Sequence, residues 1–461
     1  MKSFPLFNLL DAMSKDQLNL LEKFLNSPFW GTHRDALIFF QYLKKRLGQP
    51  LGYDKKAIAA DLDIAPERVY LLNNYLTAAV EQFLACTEWL KDSGRQHLYT
   101  VKALRKMQQN EAAIRMFDYA RRKLDADEMK GIDWQYTDFW LRQEHFSTSM
   151  QQGRGRDFNL QSLVNAQEAA FVADRLRIGC LMLSHQAVAR HTYHEGLLPA
   201  VLQYLETGDL LRIPVIQGYY HGYFALSGSS NSESHFIRLK ALLDTGAEQL
   251  PVAERQDFFL MAINFCIRRI NQSDKNYIRE VFTLYQSGLQ QKVLLENGVL
   301  SRWTYNNIAL SALHLKEFEW TERFLKEYVH LLPGAHREAA LHFNLARLYY
   351  ERRELQQAML QLLHREHDDV LQNLAAKAML SRIYWELQET EALYNQLDSI
   401  HIYLRRQKVL GYHREVYLSF VKWMKKLLKT NLNDPVSVSQ LRAAVENTTA
   451  LAEREWLLKQ L

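Results

Sequence analysis

The amino-acid sequence predicts an all-α protein, and three features lead to that prediction. Apolar residues recur at intervals of three and four along most of the 461 residues, as in helices with one buried face. Glycine and proline number only 18 and 9, so few residues interrupt helices. Between Trp303 and Ile400, a pattern of paired helices occurs three times in succession. We therefore expect an α–α superhelix, that is, a solenoid of helix pairs, preceded by an N-terminal helical subdomain.

The charge and the cysteines narrow the class of protein. The chain has 57 basic and 52 acidic residues, a net charge of +5, which is too evenly balanced to indicate the concentrated basic face of a nucleic-acid-binding domain. Cys86, Cys180 and Cys266 lie far apart and none belongs to a C-x-x-C pair. We expect reduced cysteines, with neither a disulfide framework nor a thiolate zinc site.

No stretch of the sequence has the pattern of a membrane or targeting segment. The most apolar run, residues 258–267, has half of the ~20 residues that cross a bilayer. Pro5, Asn8 and Asp11 interrupt the N-terminus before a signal-peptide core can form. The sequence therefore predicts no integral membrane segment and a cytoplasmic location.

Residues 1–92 have the pattern of a compact helical subdomain. A capping box at Ser14 and Gln17 predicts a helix start, because the serine accepts a first-turn amide and the glutamine reaches back. A second helix is predicted from about residue 32 to residue 47, where Gly48 follows.

Residues 54–88 resemble a helix-turn-helix, with a short helix, a turn and a longer helix starting at Pro66. Ala59 fits the small inner position and Val69 the apolar position of the second helix. The turn has Asp63 where glycine is usual, and the subdomain has 11 basic and 11 acidic residues, so no net charge draws it to phosphates. We favour a structural helical hairpin over a DNA-binding segment.

Residues 96–300 continue as divergent amphipathic helix pairs. The glycine- and arginine-containing stretch at 151–156 predicts a polar loop and lacks the G-K-[ST] end of a phosphate-binding loop. The serine-rich stretch 227–232 is a connector that either divides the chain near residue 230 or links two helices. Just before it, Gly218 and Gly222 predict close packing of helices.

The three copies of the helix pair align at spacings of 37 and 35 residues. Each copy has a small residue where its two helices are expected to cross, namely Ala309, Ala346 and Ser381. The other aligned positions are Tyr305, Ile308, Ala312, Thr321 and Leu325 in the first copy, Leu345, Tyr349, Leu355, Ala358 and Leu362 in the second, and Leu380, Tyr384, Leu393, Leu397 and Ile400 in the third.

This pattern resembles the tetratricopeptide repeat, whose period is about 34 residues. The resemblance covers residues 301–401 well, although Ala312 lacks the usual bulk and Leu393 replaces an alanine. It implies that the first helices line a groove for an extended or helical peptide. The family's groove positions fall on Asn307, Asn344, Arg347, Arg382 and Glu386. The alternative is that these are solvated polar residues of amphipathic helices.

Residues 402–461 are expected to form basic capping helices. Lys422, Lys425, Lys426 and Lys429 form one face of a predicted helix, opposite an apolar stripe that includes Tyr417. Such a helix either docks on an acidic partner or anionic surface, or packs its stripe on the last repeat as a solenoid cap. We favour the cap.

No catalytic or metal-binding constellation is identified. The pairs His191/His194 and His364/His367 have helical metal-ligand spacing, but no H-E-x-x-H occurs, and we expect surface or loop histidines. The sequence thus predicts a non-enzymatic scaffold without cofactor or metal, which binds a partner protein or peptide. The alternative is a DNA-binding regulator that uses residues 54–88, with the repeats as its sensor or partner domain.

Overall fold

The all-α prediction is confirmed. The structure is a computed structural model that describes residues 5–30, 34–48, 55–151, 158–189, 191–245, 247–363, 369–407 and 411–461. Within these residues it has 23 α-helices, five short 3-10 helices and one two-stranded antiparallel hairpin. Its contacts divide the chain into two compact units, residues 1–174 and 175–461.

The first unit contains eight helices and the start of a ninth. They are α1 (Pro5–Asp11), α2 (Lys15–Leu25), α3 (Arg34–Lys44), α4 (Lys55–Asp61), α5 (Pro66–Lys91), α6 (Ser93–Lys106), α7 (Asn110–Asp125), α8 (Ile132–Gln151) and α9 (Leu160–Val188), with a 3-10 helix at Pro28–Trp30.

The long helix α5 organises the first part of this unit. It contacts α1, α2, α3 and α4, and their shared core includes the fully buried Leu21, Phe39 and Leu76. The predicted capping box is confirmed, since Ser14 and Gln17 exchange both of its hydrogen bonds at the start of α2.

A buried ion cluster joins α7 to α8 in the second part of the unit. The carboxylate of Asp138, whose side chain is 9% exposed, accepts from Arg121 at 2.5 Å and from Arg142 at 2.9 Å. Arg121 also contacts the more exposed Asp125. The two guanidinium groups offset the cost of burying the Asp138 charge.

The second unit contains the rest of α9 and fourteen further helices. They are α10 (Leu198–Thr207), α11 (Pro214–Ser227), α12 (Ser232–Thr245), α13 (Val252–Asn271), α14 (Tyr277–Gln290), α15 (Arg302–His314), α16 (Phe318–Tyr328), α17 (Arg337–Glu351), α18 (Leu355–Leu363), α19 (Val370–Glu386), α20 (Thr390–Arg406), α21 (Tyr412–Leu427), α22 (Pro435–Glu446) and α23 (Arg454–Lys459). The hairpin pairs β1 (Leu295–Glu296) with β2 (Val299–Leu300), and 3-10 helices lie at Asp209–Arg212, Ala247–Gln249, Val329–Leu331 and Gly334–His336.

Consecutive helices of this unit pack as pairs, α11 with α12 through α19 with α20. The connector at 227–232 therefore links two helices of one pair. In the three predicted copies, the small residues Ala309, Ala346 and Ser381 are completely buried, as close approach of helices requires.

Four consecutive pairs, from α13–α14 to α19–α20, share one turn conformation. Ser273, Lys316, Arg353 and Gln388 have left-handed φ values of 73°, 59°, 64° and 62°. In each turn, the next amide donates to the carbonyl oxygen five residues before it, at 2.8–3.0 Å, which satisfies a carbonyl at the helix end. The last three turns are spaced by the predicted 37 and 35 residues, and Ser273 extends the series by one pair.

Helix α11 packs closely on its neighbours. A Cβ atom at Gly218 would lie 2.1 Å from the Phe258 ring of α13, so the predicted glycine contact is confirmed. On the side toward α12, Nδ1 of His221 lies 3.0 Å from Nδ1 of His235. Burial, together with the positive potential of His235 and Arg238, lowers the pKa of His221 to about 4.

Several predicted boundaries differ from the structure or lie outside it. Helix α3 ends at Lys44, three residues before the predicted end, because the chain turns where the Arg46 amide donates to the Leu43 carbonyl. The predicted boundary at 401–402 lies inside α20, the one at 92–96 overlaps the first turn of α6, and the one at 300–301 lies between β2 and α15. The four-part division itself stays a prediction. Most of the loop predicted at 151–156 lies outside the described residues.

Candidate functional site

Three adjoining cavities lie along the first helices of the repeated pairs in the second unit. We call the surface formed by α13, α15, α17 and α19 the first-helix face. An apolar cavity of about 210 Å³ between α13, α14 and α15 shares Leu310 and His314 with an arginine cavity of about 260 Å³. The arginine cavity in turn shares Tyr350 and Arg382 with an end cavity of about 970 Å³. Together they form a path across successive repeats, which we call the groove.

The apolar cavity is where the predicted residue Asn307 lies. Its walls include Ile267 and Ile270 from α13 and Leu310 from α15. Asn307 is exposed, and its side chain is hydrogen-bonded to the hydroxyl of Tyr285, whose pKa burial raises to about 12. An apolar recess with an exposed amide at its rim suits an aliphatic side chain next to a peptide bond.

Asn344 is inside the protein instead of on the groove surface. Its side chain is completely buried, and its amide nitrogen donates to Asn306 Oδ1 at 2.6 Å and to the Ala340 carbonyl at 2.8 Å. The bond to Asn306 ties α17 to α15, and the bond to Ala340 lies within α17. In this conformation Asn344 holds the first helices in register and presents no free donor to a ligand.

Arg347 is a cation of the groove for which the described residues provide no hydrogen-bond acceptor. It is half-buried in the wall of the arginine cavity, with its guanidinium carbon 4.3 Å from the Phe343 ring centroid. No residue that the structure describes accepts a hydrogen bond from it. Burial lowers the pKa of Arg347 to about 10, although the carboxylate of Glu453 opposes this. The side chain is therefore charged at neutral pH, and no carboxylate among the described residues is hydrogen-bonded to it.

Arg382, by contrast, is paired by residues far along the chain. Its Nη1 lies 2.7 Å from Glu453 Oε2, and its guanidinium carbon lies 4.4 Å from the ring centroid of Tyr350 and 5.5 Å from that of Trp456. Burial would lower the pKa of Arg382, but Glu453, Tyr350 and Glu386 together outweigh it and the pKa is raised. Arg382 thus binds a carboxylate and an aromatic ring from residues 453–456.

Glu386 is also engaged within the chain. Its carboxylate accepts from the Tyr350 hydroxyl, from Trp456 Nε1 at 2.9 Å and from Arg353 Nη1 at 2.7 Å. Next to it, Trp385 Nε1 donates to Gln460 Oε1 at 3.1 Å. The lining of the end cavity therefore includes Trp456, Lys459 and Gln460.

The predicted groove residues thus have three different environments. Arg347, Arg382 and Glu386 line adjoining cavities, Asn307 lies at the rim of the apolar cavity, and Asn344 is buried between helices. The sequence did not indicate the role of residues 453–460, because they are some 70 residues away from their partners on α19. The one signal in the sequence for this role is the three-residue spacing between acidic Glu453 and aromatic Trp456.

Three of the four predicted lysines on the basic face of α21 contact other residues of the chain. The opposite, apolar side of the helix, including Phe420 and Met424, packs on α20 in one core. Lys425 pairs with Asp398 at 2.6 Å, and the ammonium groups of Lys422 and Lys426 lie 4.8 Å and 5.3 Å from the Trp423 ring.

Lys429, the fourth predicted residue of this face, is exposed. The apolar side of the helix is not available for docking in this conformation, since it lies in the core with α20.

The helix-turn-helix-like segment has the predicted local structure. Helix α4 ends at Asp61, α5 begins at Pro66, and Ala59 and Val69 are buried between them. Asp63 adopts φ 51°, the left-handed conformation for which glycine is usual in this turn. Helix α5 has three acidic residues and two basic ones, and the basic residue near its start, Arg68, is paired with Asp35.

The histidine pairs lie away from the groove or outside the described residues. His191 and His194 are exposed in the loop before α10, and His364 and His367 lie outside the described residues. Among the residues described, no group of three or more His, Cys, Asp or Glu side chains is placed to hold a metal ion.

Comparison with known proteins returns no match, either to a protein-family model or to a curated protein. None of the helices that the structure describes has both the length and the apolarity needed to cross a membrane.

Proposed function

We propose that the protein is a non-enzymatic scaffold that binds a segment of a partner protein along the first-helix face of residues 252–386. One observation carries the proposal: Arg347 is a half-buried cation without a hydrogen-bonded acceptor among the described residues, and it lies in the middle of the groove. Hydrogen bonds between a guanidinium group and a carboxylate are among the strong ones in proteins, so a ligand carboxylate is the expected partner of this half-buried cation.

The groove also favours a particular chemistry for the rest of the ligand. A charged hydrogen bond to Arg347 contributes about 1.5–3 kcal/mol, and burial of an aliphatic side chain in the apolar cavity a further ~1.5–3 kcal/mol. Asn307 is exposed in the wall of the apolar cavity, and its amide oxygen can accept a hydrogen bond from the ligand backbone. We expect a segment with an acidic residue near an aliphatic one.

The remaining predicted residues have supporting roles in this proposal. Asn344 keeps α15 and α17 in register, while Arg382 and Glu386 hold residues 453–460 at the end of the groove. The tetratricopeptide resemblance, the superhelical arrangement and the cytoplasmic location stay predictions from the sequence. We do not extend the proposal to DNA, because Arg68 is paired and α5 is not basic.

Affinity capture from cell extract tests the proposal. The tagged full chain is compared with Arg347→Ala and with a matched control, Arg323→Ala, which removes an exposed arginine from the second helix of a pair, α16. Proteins that bind the groove should be recovered equally by wild type and Arg323→Ala and should fall about tenfold or more with Arg347→Ala. Equal recovery with all three chains would refute the groove assignment.

A further inference from the structure

Residues 453–460 contact the first-helix face as a bound peptide would. Glu453, Trp456 and Gln460 are spaced by three and four residues, the spacing by which one side of a helix meets a groove. Their partners are Arg382 for Glu453, Glu386 for the Trp456 indole, and Trp385 for Gln460. All three partners lie at the end of one first helix, α19.

The contact combines an anchored aromatic residue with a charge pair. Trp456 is 7% exposed and Leu457 1% exposed, and both belong to the core that includes Phe420 and Met424 of α21. Glu453, at the start of the segment, adopts a left-handed φ of 55°, an unfavourable conformation for a residue with a side chain. The segment is therefore held by its side chains against a backbone preference.

Residues 453–460 reach the arginine cavity, but they provide no hydrogen-bonded carboxylate for Arg347. Glu453 lines this cavity and its carboxylate bonds to Arg382, whereas Arg347, in the same cavity, has no acceptor among the described residues. Burial lowers the pKa of the His314 imidazole, at the boundary with the apolar cavity, and the carboxylates of Glu351 and Glu455 oppose this only in part. A ligand carboxylate that binds Arg347 therefore enters the same cavity as the carboxylate of Glu453.

We propose that residues 453–460 are an internal competitor for the groove, and that the partner segment has the same chemistry. That chemistry is a carboxylate followed, one helical turn later, by tryptophan and an aliphatic residue, as in Glu453, Trp456 and Leu457. This inference rests on the proposed function and adds the ligand class and its regulation. An internal copy acts at an effective concentration of about a millimolar, so only a tighter segment displaces it.

A peptide corresponding to residues 449–461 provides the test. It is labelled with fluorescein, and its binding is measured by anisotropy to the full chain and to the full-length Glu453→Ala/Trp456→Ala variant, in which the internal copy is weakened. A control peptide has both alanines. The peptide should bind the variant about tenfold or more tightly than wild type, and the control peptide should bind neither.

Two further changes in the variant background locate the binding. Arg382→Ala should weaken peptide binding about tenfold or more, whereas Arg323→Ala on α16 should leave it unchanged. Equal binding of both peptides, no binding at about millimolar peptide, or no effect of Arg382→Ala would overturn the proposal.

A second measurement uses only the wild-type chain, in case the variant does not fold. Unlabelled peptide is added at about a millimolar, and amide hydrogen exchange is followed in residues 454–460 and in α17 and α19. Exchange should accelerate severalfold in residues 454–460 and stay unchanged in the two helices. Unchanged exchange in residues 454–460 would overturn the proposal. Neither assay contains a partner protein, so failure here is distinct from failure of the capture experiment.

Discussion

The ion pair between Arg382 and Glu453 is expected to contribute measurably to the stability of the second unit. The two side chains are 14% and 29% exposed, and the atoms that pair lie 2.7 Å apart. Exposed pairs contribute about 0–1 kcal/mol, and breaking a fully buried pair costs about 3–5 kcal/mol. For this partly buried pair we expect a coupling free energy of about 2 kcal/mol.

A double-mutant cycle isolates this coupling. Arg382→Ala, Glu453→Ala and the double variant are unfolded in urea, and the free energies of unfolding are compared with wild type. The cycle is needed because Arg382→Ala alone also removes the contacts with Tyr350 and Trp456. A matched cycle on Arg212 and Asp209, whose side chains are 82% and 83% exposed, should give less than about 0.5 kcal/mol.

The cycle has a clear refuting result. If the coupling between Arg382 and Glu453 is as small as in the exposed control pair, the ion pair does not hold residues 453–460 on α19. The segment would then be retained by the burial of Trp456 and Leu457 and by the hydrogen bonds of Trp456 and Gln460 to α19.

Three other changes test the packing within each of the two units. Asp138→Ala should lower the free energy of unfolding by about 3 kcal/mol, because it leaves two partly buried arginines without their shared carboxylate. Asp125→Ala, which removes a carboxylate that is itself 54% exposed, should cost less than about 1 kcal/mol; both are measured by urea unfolding. Gly218→Ala should lower the thermal midpoint by several degrees because α11 and α13 must separate, whereas Gly334→Ala, with no atom within 4 Å of the added Cβ, should not. The pKa of His221 is about 4 in the folded protein and 6.5 in the unfolded chain. The free energy of unfolding should therefore fall as the pH drops from 6.5 toward 4, because the unfolded chain takes up the proton first. The loss should be about 2 kcal/mol at pH 5, and His221→Gln, compared at pH 7 and pH 5, should remove it; an unchanged pH dependence would show that the imidazole is not held neutral.

Local sequence signals were sufficient for the helices and for the spacing of the repeats. The capping box at Ser14 and the proline at position 66 act within one helical turn, so the sequence identifies these helix starts without knowledge of distant contacts. The small residues at 309, 346 and 381 recur at the spacing of the repeat, and all three are buried. The sequence did not predict the left-handed turn conformation, because Lys316, Arg353 and Gln388 occupy positions where glycine is usual.

The candidate site was predictable only in part. The groove positions of the family that the repeats resemble include Arg347 and Arg382, and the structure places both in the wall of one cavity. Neither the resemblance nor helical periodicity could show that Asn344 is buried, since a polar residue between two packed helices has the same spacing as an exposed one. Nor could it bring Glu453 to Arg382, because that contact depends on how α21, α22 and α23 pack.

Photocrosslinking from the groove tests the central claim most directly. A photoreactive amino acid replaces Leu310, which lines both the apolar and the arginine cavity, or Leu360, which is exposed on the second helix α18. Irradiation in cells should give a discrete crosslinked product from position 310 that Arg347→Ala removes, and none from position 360. Equal products from both positions, or a product at 310 that is unaffected by Arg347→Ala, would contradict binding in the groove.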